Sequence, residues 1–360
     1  MDVLIKDFIR YNVLDSITRH TITPDMRTLN IFINFDWFFQ TYKNPLTNKK
    51  FQSCGTFAPK QFTSTVLNMM GHYRQWGTRH RLDTRVYGYM TTERRNFENS
   101  LYYPDFRKYY INKSSLSYTD VFYVNNCINN AVPMITAICN HIDGVYFLDS
   151  HSTDPSVIPY FVSREIRDAD WNFIVTNDRL DFQYVNQPKF SILCPLHKDK
   201  DDISKQITKH NLAAVVRETE NLKDISKVAD CIATLYLLCL GVCGDQHRSL
   251  PNITGYSFRR VIQKFESIAK SCKGIFTPER MAQEFLSTFS QSNMSLETLN
   301  TNMKVANIIV GYNSMSESSR ETIKSQIIDI PDYENLKELN MNPDFFVNCP
   351  INLEFLTGNI

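Results

Sequence analysis

The chain has 360 residues, with 39 Lys and Arg against 38 Asp and Glu, 42% apolar residues and 21% charged residues. The formal net charge of +1 excludes a globally basic nucleic-acid coat and an acidic tail, so any surface for nucleic acid must be local. The length suits about two domains. A chain of this size buries enough surface to fold without disulfides or a structural metal.

The cysteines and the apolar segments predict a cytoplasmic protein. Nine cysteines without a Cys-x-x-Cys pair are typical of reduced thiols. Residues 1–14 carry four charges and do not resemble a secretory signal. The most apolar run, 228–244, contains Asp230 and is shorter than the roughly 20 residues that span a membrane, which favours a buried core helix.

Four short runs rich in β-branched and aromatic residues predict buried strands. They lie at residues 28–33, 85–90, 143–148 and 172–176. Amphipathic segments lie between these runs, for example at 59–76 and 155–168. Strands that alternate with helices predict an α/β fold with a mainly parallel sheet.

Beyond residue 200 the pattern changes to helices joined by polar loops. The predicted helices cover residues 203–217, 224–243, 256–272, 278–291 and 316–329. No strand of comparable quality follows, and neither a Walker loop nor a GxGxxG loop is present. We therefore expect a helical C-terminal half packed on an α/β N-terminal half.

Two aspartates, Asp178 and Asp181, follow the run at 172–176. In open α/β sheets, ligands bind beyond the carboxyl ends of the strands. Two carboxylates at a strand end suit a hard divalent cation such as Mg²⁺. The alternative is a solvated turn capped by an aspartate side chain.

A second candidate site lies within residues 240–265. A hydrophobic helix stops at Gly244 and Asp245, and the next helix opens with Arg259 and Arg260. Free backbone N–H groups at a helix start, together with two arginines, predict a phosphate site. The alternative is an ordinary helix–turn–helix corner, which needs no paired arginines.

The third candidate is the stretch 72–113, which has nine basic residues against four acidic ones. Aromatic residues are interleaved with these charges, among them Tyr102, Tyr103, Phe106, Tyr109 and Tyr110. This composition is typical of a surface that follows a nucleic-acid backbone and stacks on bases. A solvated helix face is the alternative.

Other chemistry is less favoured. Cys194 with His197 and Cys243 with His247 have the spacing of a zinc pair. A buried thiol at the end of an apolar helix is, however, commonplace. Serine hydrolase chemistry is set aside because no serine lies in a nucleophile-elbow sequence.

Taken in chain order, residues 28–330 resemble the 5′-nuclease superfamily: flap endonucleases, the 5′-exonuclease domain of DNA polymerase I and, most closely, bacteriophage ribonuclease H. The most specific segment is residues 244–255, which is similar to the family's GDxSDNIPGxxG. The other similar segments are IVTNDRLDFQ (family SxDxDFxQ), YYPDFRKYY (YPxYKxNR), DPSVIPYFV (EADDxIAxL) and NIFINFDWFF, which resembles the first strand.

The resemblance implies a PIN-like α/β sheet with a helical arch, followed by a helix–three-turn–helix module that grips duplex backbone. The implied domains are 1–240 for the nuclease-fold domain and 241–330 for the helix–three-turn–helix and helical C-terminal region. Residues 331–360 form a C-terminal extension. The resemblance to a bacteriophage enzyme also implies a bacteriophage origin, and with it a location in the cytoplasm of an infected host cell.

The family's chemistry is hydrolysis of a phosphodiester by two Mg²⁺ ions held in a cluster of carboxylates. In this sequence the first-strand aspartate falls on Asn34 and the second-strand aspartate on Met90. The EADD group falls on residues 153–156, with Asp154 its one acid. These departures predict a degenerate metal site.

Three family acids are retained as Asp178, Asp181 and Asp245, although the first two are spaced one residue further apart than in the family. The aspartate after Asp245 falls on Arg248, whose fixed positive charge competes with a cation. The three acids are predicted to hold at most one weak Mg²⁺ ion.

The favoured hypothesis is a pseudo-enzyme that binds structured nucleic acid without cutting it. The partner would be duplex or branched DNA, or folded RNA in a ribonucleoprotein. The predicted contacts are Arg94, Arg95, Arg107, Lys108, Arg259 and Arg260.

Two alternatives remain open. One is an active Mg²⁺-dependent 5′–3′ exonuclease or ribonuclease H that removes primers or flaps, with Asp36 and Glu93 assisting the three retained acids. The other is a protein-binding module on the same fold, for which partner binding would be insensitive to salt.

Overall fold

The computed structural model describes residues 27–36, 57–92, 118–151, 153–176, 178–194, 206–245, 250–253, 255–271, 277–289 and 296–327. Four of the predicted contact residues, Arg94, Arg95, Arg107 and Lys108, lie outside these ranges, as do Glu93 and Arg248. The predicted arch and the extension 331–360 also lie outside them.

The centre of the fold is a six-stranded, mostly parallel sheet with the order β3-β2-β1-β4-β5-β6. The strands are β1 (Thr28–Asn34), β2 (Asp83–Met90), β3 (Val145–Asp149), β4 (Trp171–Val175), β5 (Phe190–Leu193) and β6 (Gln206–Ile207). Only β6 is antiparallel to its neighbour. The predicted α/β fold class and all four predicted strands are therefore confirmed.

Helices lie in the connections between strands and make up most of the described residues between 208 and 327. They are α1 (Phe57–Arg79), α2 (Tyr118–Cys139), α3 (Ile158–Phe161), α4 (Leu212–Thr219), α5 (Ile232–Cys243), α6 (Phe258–Ser271), α7 (Pro278–Phe289), α8 (Leu296–Ala306), α9 (Ile308–Asn313) and α10 (Glu317–Lys324). The single helix predicted at 203–217 is wrong in its first half, because residues 206–207 pair with β5 and the helix begins only at Leu212.

The site's location follows from the strand order. β1 pairs in parallel with both β2 and β4, so the chain reverses its direction of winding between β1 and β4. A ligand crevice forms outside the carboxyl ends of the strands at such a switch point. Asn34 is the last residue of β1, and Thr176 directly follows β4.

Helix α5 is the core of the helical half. Its sequence IATLYLLCLGVC is apolar on all sides, as expected for a helix surrounded by protein. It packs against α6 and α8 and against the segment that follows β4. Among the described helices, none is long and apolar enough to cross a membrane. The predicted boundary at residue 240 falls inside α5, and the division into domains stays a prediction.

Helix α1 buries His72, which is 8% exposed. Burial, reinforced by the nearby Arg79, lowers the pKa of this imidazole from 6.5 to about 4. Folding therefore holds His72 neutral, while the unfolded chain takes up a proton at higher pH. The contribution of the neutral His72 to the free energy of unfolding is therefore fully present above pH 6.5 and is lost as the pH falls towards 4.

We expect the free energy of unfolding to fall by at most about 3 kcal/mol over this pH window through His72 alone. Urea denaturation at a series of pH values measures this dependence. The variant His72→Gln should flatten it, whereas substitution of the exposed His210 should leave it as it is. An equal dependence in His72→Gln would show that other groups cause it.

Candidate functional site

The carboxyl edge of β1 and β4 is organised around the carboxylate of Asp181, which is fully buried. The side-chain amide of Asn34 donates to Oδ2 of Asp181 at 2.8 Å. The Thr176 hydroxyl donates to the same oxygen, also at 2.8 Å. Oδ2 of Asp181 thus accepts from two neutral donors, one at the end of β1 and one directly after β4.

Asp178 occupies a turn rather than a position facing Asn34. Its Oδ1 accepts from the backbone N–H of Leu180 at 2.9 Å and caps the 3₁₀ segment Arg179–Asn186. Its own N–H donates to the Thr176 hydroxyl at 2.9 Å. This is the capping role that the sequence offered as the alternative to metal binding.

Two further aspartates at the same edge also hold the backbone. Asp154 accepts from the N–H of Ser156 at 2.9 Å. Asp149, at the end of β3, accepts from the N–H groups of Thr92 and His151, each at 3.0 Å, and from the Thr92 hydroxyl. These carboxylates fix the loops that surround the edge.

Buried tyrosines lie against this group of acids. Burial raises the pKa of Tyr89 well above its usual value, and the charges of Asp181, Asp178 and Asp154 raise it further. The Tyr89 hydroxyl is buried and has no hydrogen-bond partner among the described residues. Tyr184, raised in pKa by burial and by Asp181, donates to the carbonyl of Ser156 at 2.6 Å.

The described residues do not fit the pair of Mg²⁺ ions that the resemblance implies. No group of three or more His, Cys, Asp or Glu among them is arranged to hold a metal ion. At the end of β2, the position of a family aspartate is taken by Met90, which is fully buried in the core. Whether Asp178, Asp181 and Asp245 bind a single weak ion stays a prediction.

The turn after α5 is held by backbone contacts. Asp245 and Leu250 form an antiparallel bridge, with N–H to carbonyl distances of 3.1 and 2.8 Å. The buried amide of Asn302, on α8, donates to the carbonyls of Gly241 (2.7 Å) and Pro251 (2.9 Å). Asn302 therefore ties the turn to the rest of the helical half.

Helix α6 follows this turn and presents two arginines. Its buried face contains Phe258, Val261 and Phe265, while Arg259 and Arg260 are exposed. Neither arginine forms an ion pair with a described residue. This geometry leaves both guanidinium groups able to bind an anion.

Sequence reasoning missed several residues that build the site. Thr176, Tyr89 and Tyr184 were not singled out, and Asn302 lies in a helix that was not predicted. Thr176 could have been found, because it stands where the family segment SxDxDFxQ begins. The acids near Tyr89 and the carbonyls that accept from Asn302 are distant in sequence, so these two residues leave no local signal.

Comparison with known proteins gives matches in structure alone. No protein-family model matches the chain, and no curated protein sequence matches it. The fold is similar to that of a bacteriophage T5 5′-exonuclease with bound divalent zinc ions, with a TM-score of 0.50 and 11% identity over 83% of this chain and 98% of that chain. The chain thus has the α/β fold of a 5′-nuclease, as the sequence resemblance predicted.

Two other solved structures are similar to this chain. One is the bacteriophage T5 D15 flap endonuclease in a pseudo-enzyme–product complex with DNA and metal ions, with a TM-score of 0.48 and 11% identity over 86% of this chain and 98% of that chain. The other is the T5 D15 protein co-crystallised with metal ions, with a TM-score of 0.49 and 10% identity over 82% and 98%.

Proposed function

We propose that this protein is a pseudo-enzyme on a 5′-nuclease fold, which binds structured nucleic acid without cleaving it. The ligand is duplex or branched DNA, or folded RNA, recognised by its shape and its phosphate backbone. The protein then acts by holding a nucleic-acid structure, in the cytoplasm of an infected host cell.

The observation that carries the proposal is the hydrogen bond from Asn34 to Asp181. An amide N–H points at the carboxylate from the strand end where the family has an acid. This neutral donor binds one oxygen of that carboxylate, Oδ2. The second expected ligand position is the buried Met90. Two-metal hydrolysis needs several oxygens around each ion. Among the described residues, no group of three or more His, Cys, Asp or Glu is arranged to hold an ion, which supports the proposal.

The basic residues support the binding half of the proposal. Arg259 and Arg260 are exposed and without ion pairs among the described residues, so that forming phosphate contacts breaks no existing pair. The predicted contacts Arg94, Arg95, Arg107 and Lys108 lie outside the described residues and stay predictions. Because phosphate contacts release counterions, binding should weaken steeply with salt.

An active Mg²⁺-dependent exonuclease remains the second candidate, and one observation favours it. The charges of Asp154, Asp178 and Asp181 all act on the hydroxyl of Tyr89, so the three acids share one neighbourhood. In that case the three carboxylates would form a residual site for Mg²⁺.

One experiment separates the two candidates. The purified protein is incubated with labelled 5′-flap DNA, or with an RNA–DNA hybrid, in Mg²⁺ or Mn²⁺, and a gel shift is run in parallel. Binding without cleavage in either metal supports the pseudo-enzyme. Cleavage that is lost in Asp181→Asn, with folding unchanged, would overturn it in favour of the nuclease.

The arginines of α6 give a separate prediction. In the double variant Arg259→Ala/Arg260→Ala, we expect nucleic-acid binding to weaken by about 10- to 100-fold at 0.1 M salt and the salt slope to fall by about two. A titration by fluorescence anisotropy at several salt concentrations measures both quantities.

The matched control is Lys189→Ala. Lys189 is a half-exposed cation that pairs with Asp168 at the opposite edge of the sheet. Its loss should leave the affinity and the salt slope unchanged. Equal effects of the two variants would mean that general charge, and not the surface of α6, binds the ligand.

A further inference from the structure

Arg179 lies where the strand-end segment meets the start of α6. It directly follows Asp178 and is the first residue of the segment Arg179–Asn186. Its guanidinium carbon is 5.3 Å from the ring centroid of Phe258, which is the first residue of α6 and precedes Arg259. Arg179 therefore connects the carboxyl edge of the sheet with the two arginines of α6.

Two contacts fix the Arg179 side chain in place. Its Nη2 atom is 2.5 Å from Oε1 of Glu220, and its flat face lies on the Phe258 ring. Glu220 and Phe258 are themselves mostly buried, so their positions are fixed by packing. A guanidinium held in this way loses little entropy when it binds a further group.

The same side chain remains open to solvent. It is 57% exposed despite its two contacts. A guanidinium has five N–H donors, of which the bond to Glu220 uses one. The remaining donors suit a phosphate, which accepts two parallel hydrogen bonds from one guanidinium.

The charge of Arg179 also extends to the end of α5. Cys243 is the last residue of that helix, and burial raises the pKa of its thiol to about 12, while Arg179 acts in the opposite direction. Arg179 thus lies near the last residue of α5 and the first residue of α6, on either side of the turn at 244–257.

We infer that Arg179 binds a backbone phosphate of the nucleic acid, at a point between the sheet edge and α6. Its contact with Phe258 places this phosphate site next to the first residue of α6. Glu220 positions the guanidinium and partly offsets its charge. The inference rests on the proposed function, because it assigns a contact on the same ligand.

The two ends of the ion pair give opposite predictions. In Arg179→Gln, binding of labelled duplex DNA or RNA–DNA hybrid should weaken by about five- to tenfold at 0.1 M salt, and the salt slope should fall by about one. In Glu220→Gln, binding should tighten by about two- to threefold, because the amide oxygen still accepts from Arg179 while the negative charge is gone.

A purely structural tether predicts a different outcome. Arg179 and Glu220 would then act as one unit, and both variants would change binding in the same direction or leave it unchanged. Either result overturns the inference. The variant Arg179→Lys keeps the charge and should retain the wild-type salt slope. Thermal unfolding shows whether Arg179→Gln folds, and if it does not, Arg179→Lys replaces it in the titration.

The wild-type titration separates this inference from the proposed function. In one outcome, the wild type binds, Arg259→Ala/Arg260→Ala loses binding and Arg179→Gln keeps it. That result leaves the proposed function in place and removes Arg179 from the interface. Wild-type protein that binds neither DNA nor hybrid overturns both. Lys189→Gln is the matched control for loss of one ion-paired cation.

Discussion

Replacement of Gly244 by alanine is expected to destabilise the protein by about 4 kcal/mol, and to remove nucleic-acid binding with it. Gly244 ends α5 with a φ of +66° and a ψ of −176°, a conformation that is essentially restricted to glycine. A side chain at this position is therefore strained before any contact is considered.

The surroundings of Gly244 add a second and larger cost. A Cβ atom placed there would lie 2.3 Å from the carbonyl oxygen of Leu250 and 2.6 Å from the carbonyl atoms of Pro251. These are backbone atoms of the turn, and the Leu250 N–H and carbonyl form the bridge with Asp245. The turn must move to relieve the overlap, and α6 with its arginines moves with it.

Gly255, in the same turn, is the matched control. It also has a positive φ, of +67°, but a Cβ atom added there meets nothing within 4 Å. Gly255→Ala should cost about 1 kcal/mol from backbone strain alone. Urea denaturation and the binding titration measure both variants, and equal losses would mean that contacts around Gly244 contribute little.

Most of the sheet was predictable, because each of its longer strands has a recognisable pattern in the local sequence. Each of β1 to β4 is a buried run of β-branched and aromatic residues, and buried parallel strands read as such in sequence. β5 and β6 were not predicted, because FSIL and QI are too short for a pattern to form. The helix α2 was not predicted either, because it includes Pro133, a residue that is unfavourable inside a helix.

The candidate site was predictable only in part. The position of Asp178 and Asp181 at a strand end follows from the local sequence and from the α/β fold. The bond between Asn34 and Asp181 joins residues 147 positions apart, and it exists because β1 and β4 are neighbours. The sequence resemblance places an amide where the family has an acid, but the sequence does not show that this amide donates to Asp181.

Arg179 illustrates the same limit. In sequence it is one charge in a turn, and nothing nearby indicates its partners. Glu220 is 41 residues away, and Phe258 opens a different helix. Only the packing of α6 against the strand-end segment turns this residue into a fixed, exposed cation.

The variant Asn34→Asp should be destabilised by about 3–5 kcal/mol at pH 7, because it places a second buried carboxylate next to Asp181. Asn34 is 2% exposed and Asp181 is fully buried, so water screens the repulsion little. A proton shared by the two carboxyls relieves it, so the difference from wild type should shrink as the pH falls from 7 to 5. Urea denaturation at both pH values measures this change.

Divalent cations provide the deciding comparison. Mg²⁺ bound between the two carboxylates would stabilise the folded state of Asn34→Asp, because the unfolded chain has no such site. The control is Asn30→Asp on the same strand, where the neighbours of the buried amide are the Asn172 side chain and the Arg167 carbonyl. That variant should be destabilised without recovery in Mg²⁺, since no second carboxylate is bonded there.

The wild-type protein is the third arm of this comparison, and its response bears on the proposed function. If the amide of Asn34 has replaced the cation, Mg²⁺ should leave the free energy of unfolding of the wild type unchanged while it raises that of Asn34→Asp. An equal stabilisation of both proteins would mean that the wild-type edge already binds a divalent ion. The loss of the metal site, on which the pseudo-enzyme proposal depends, would then be wrong.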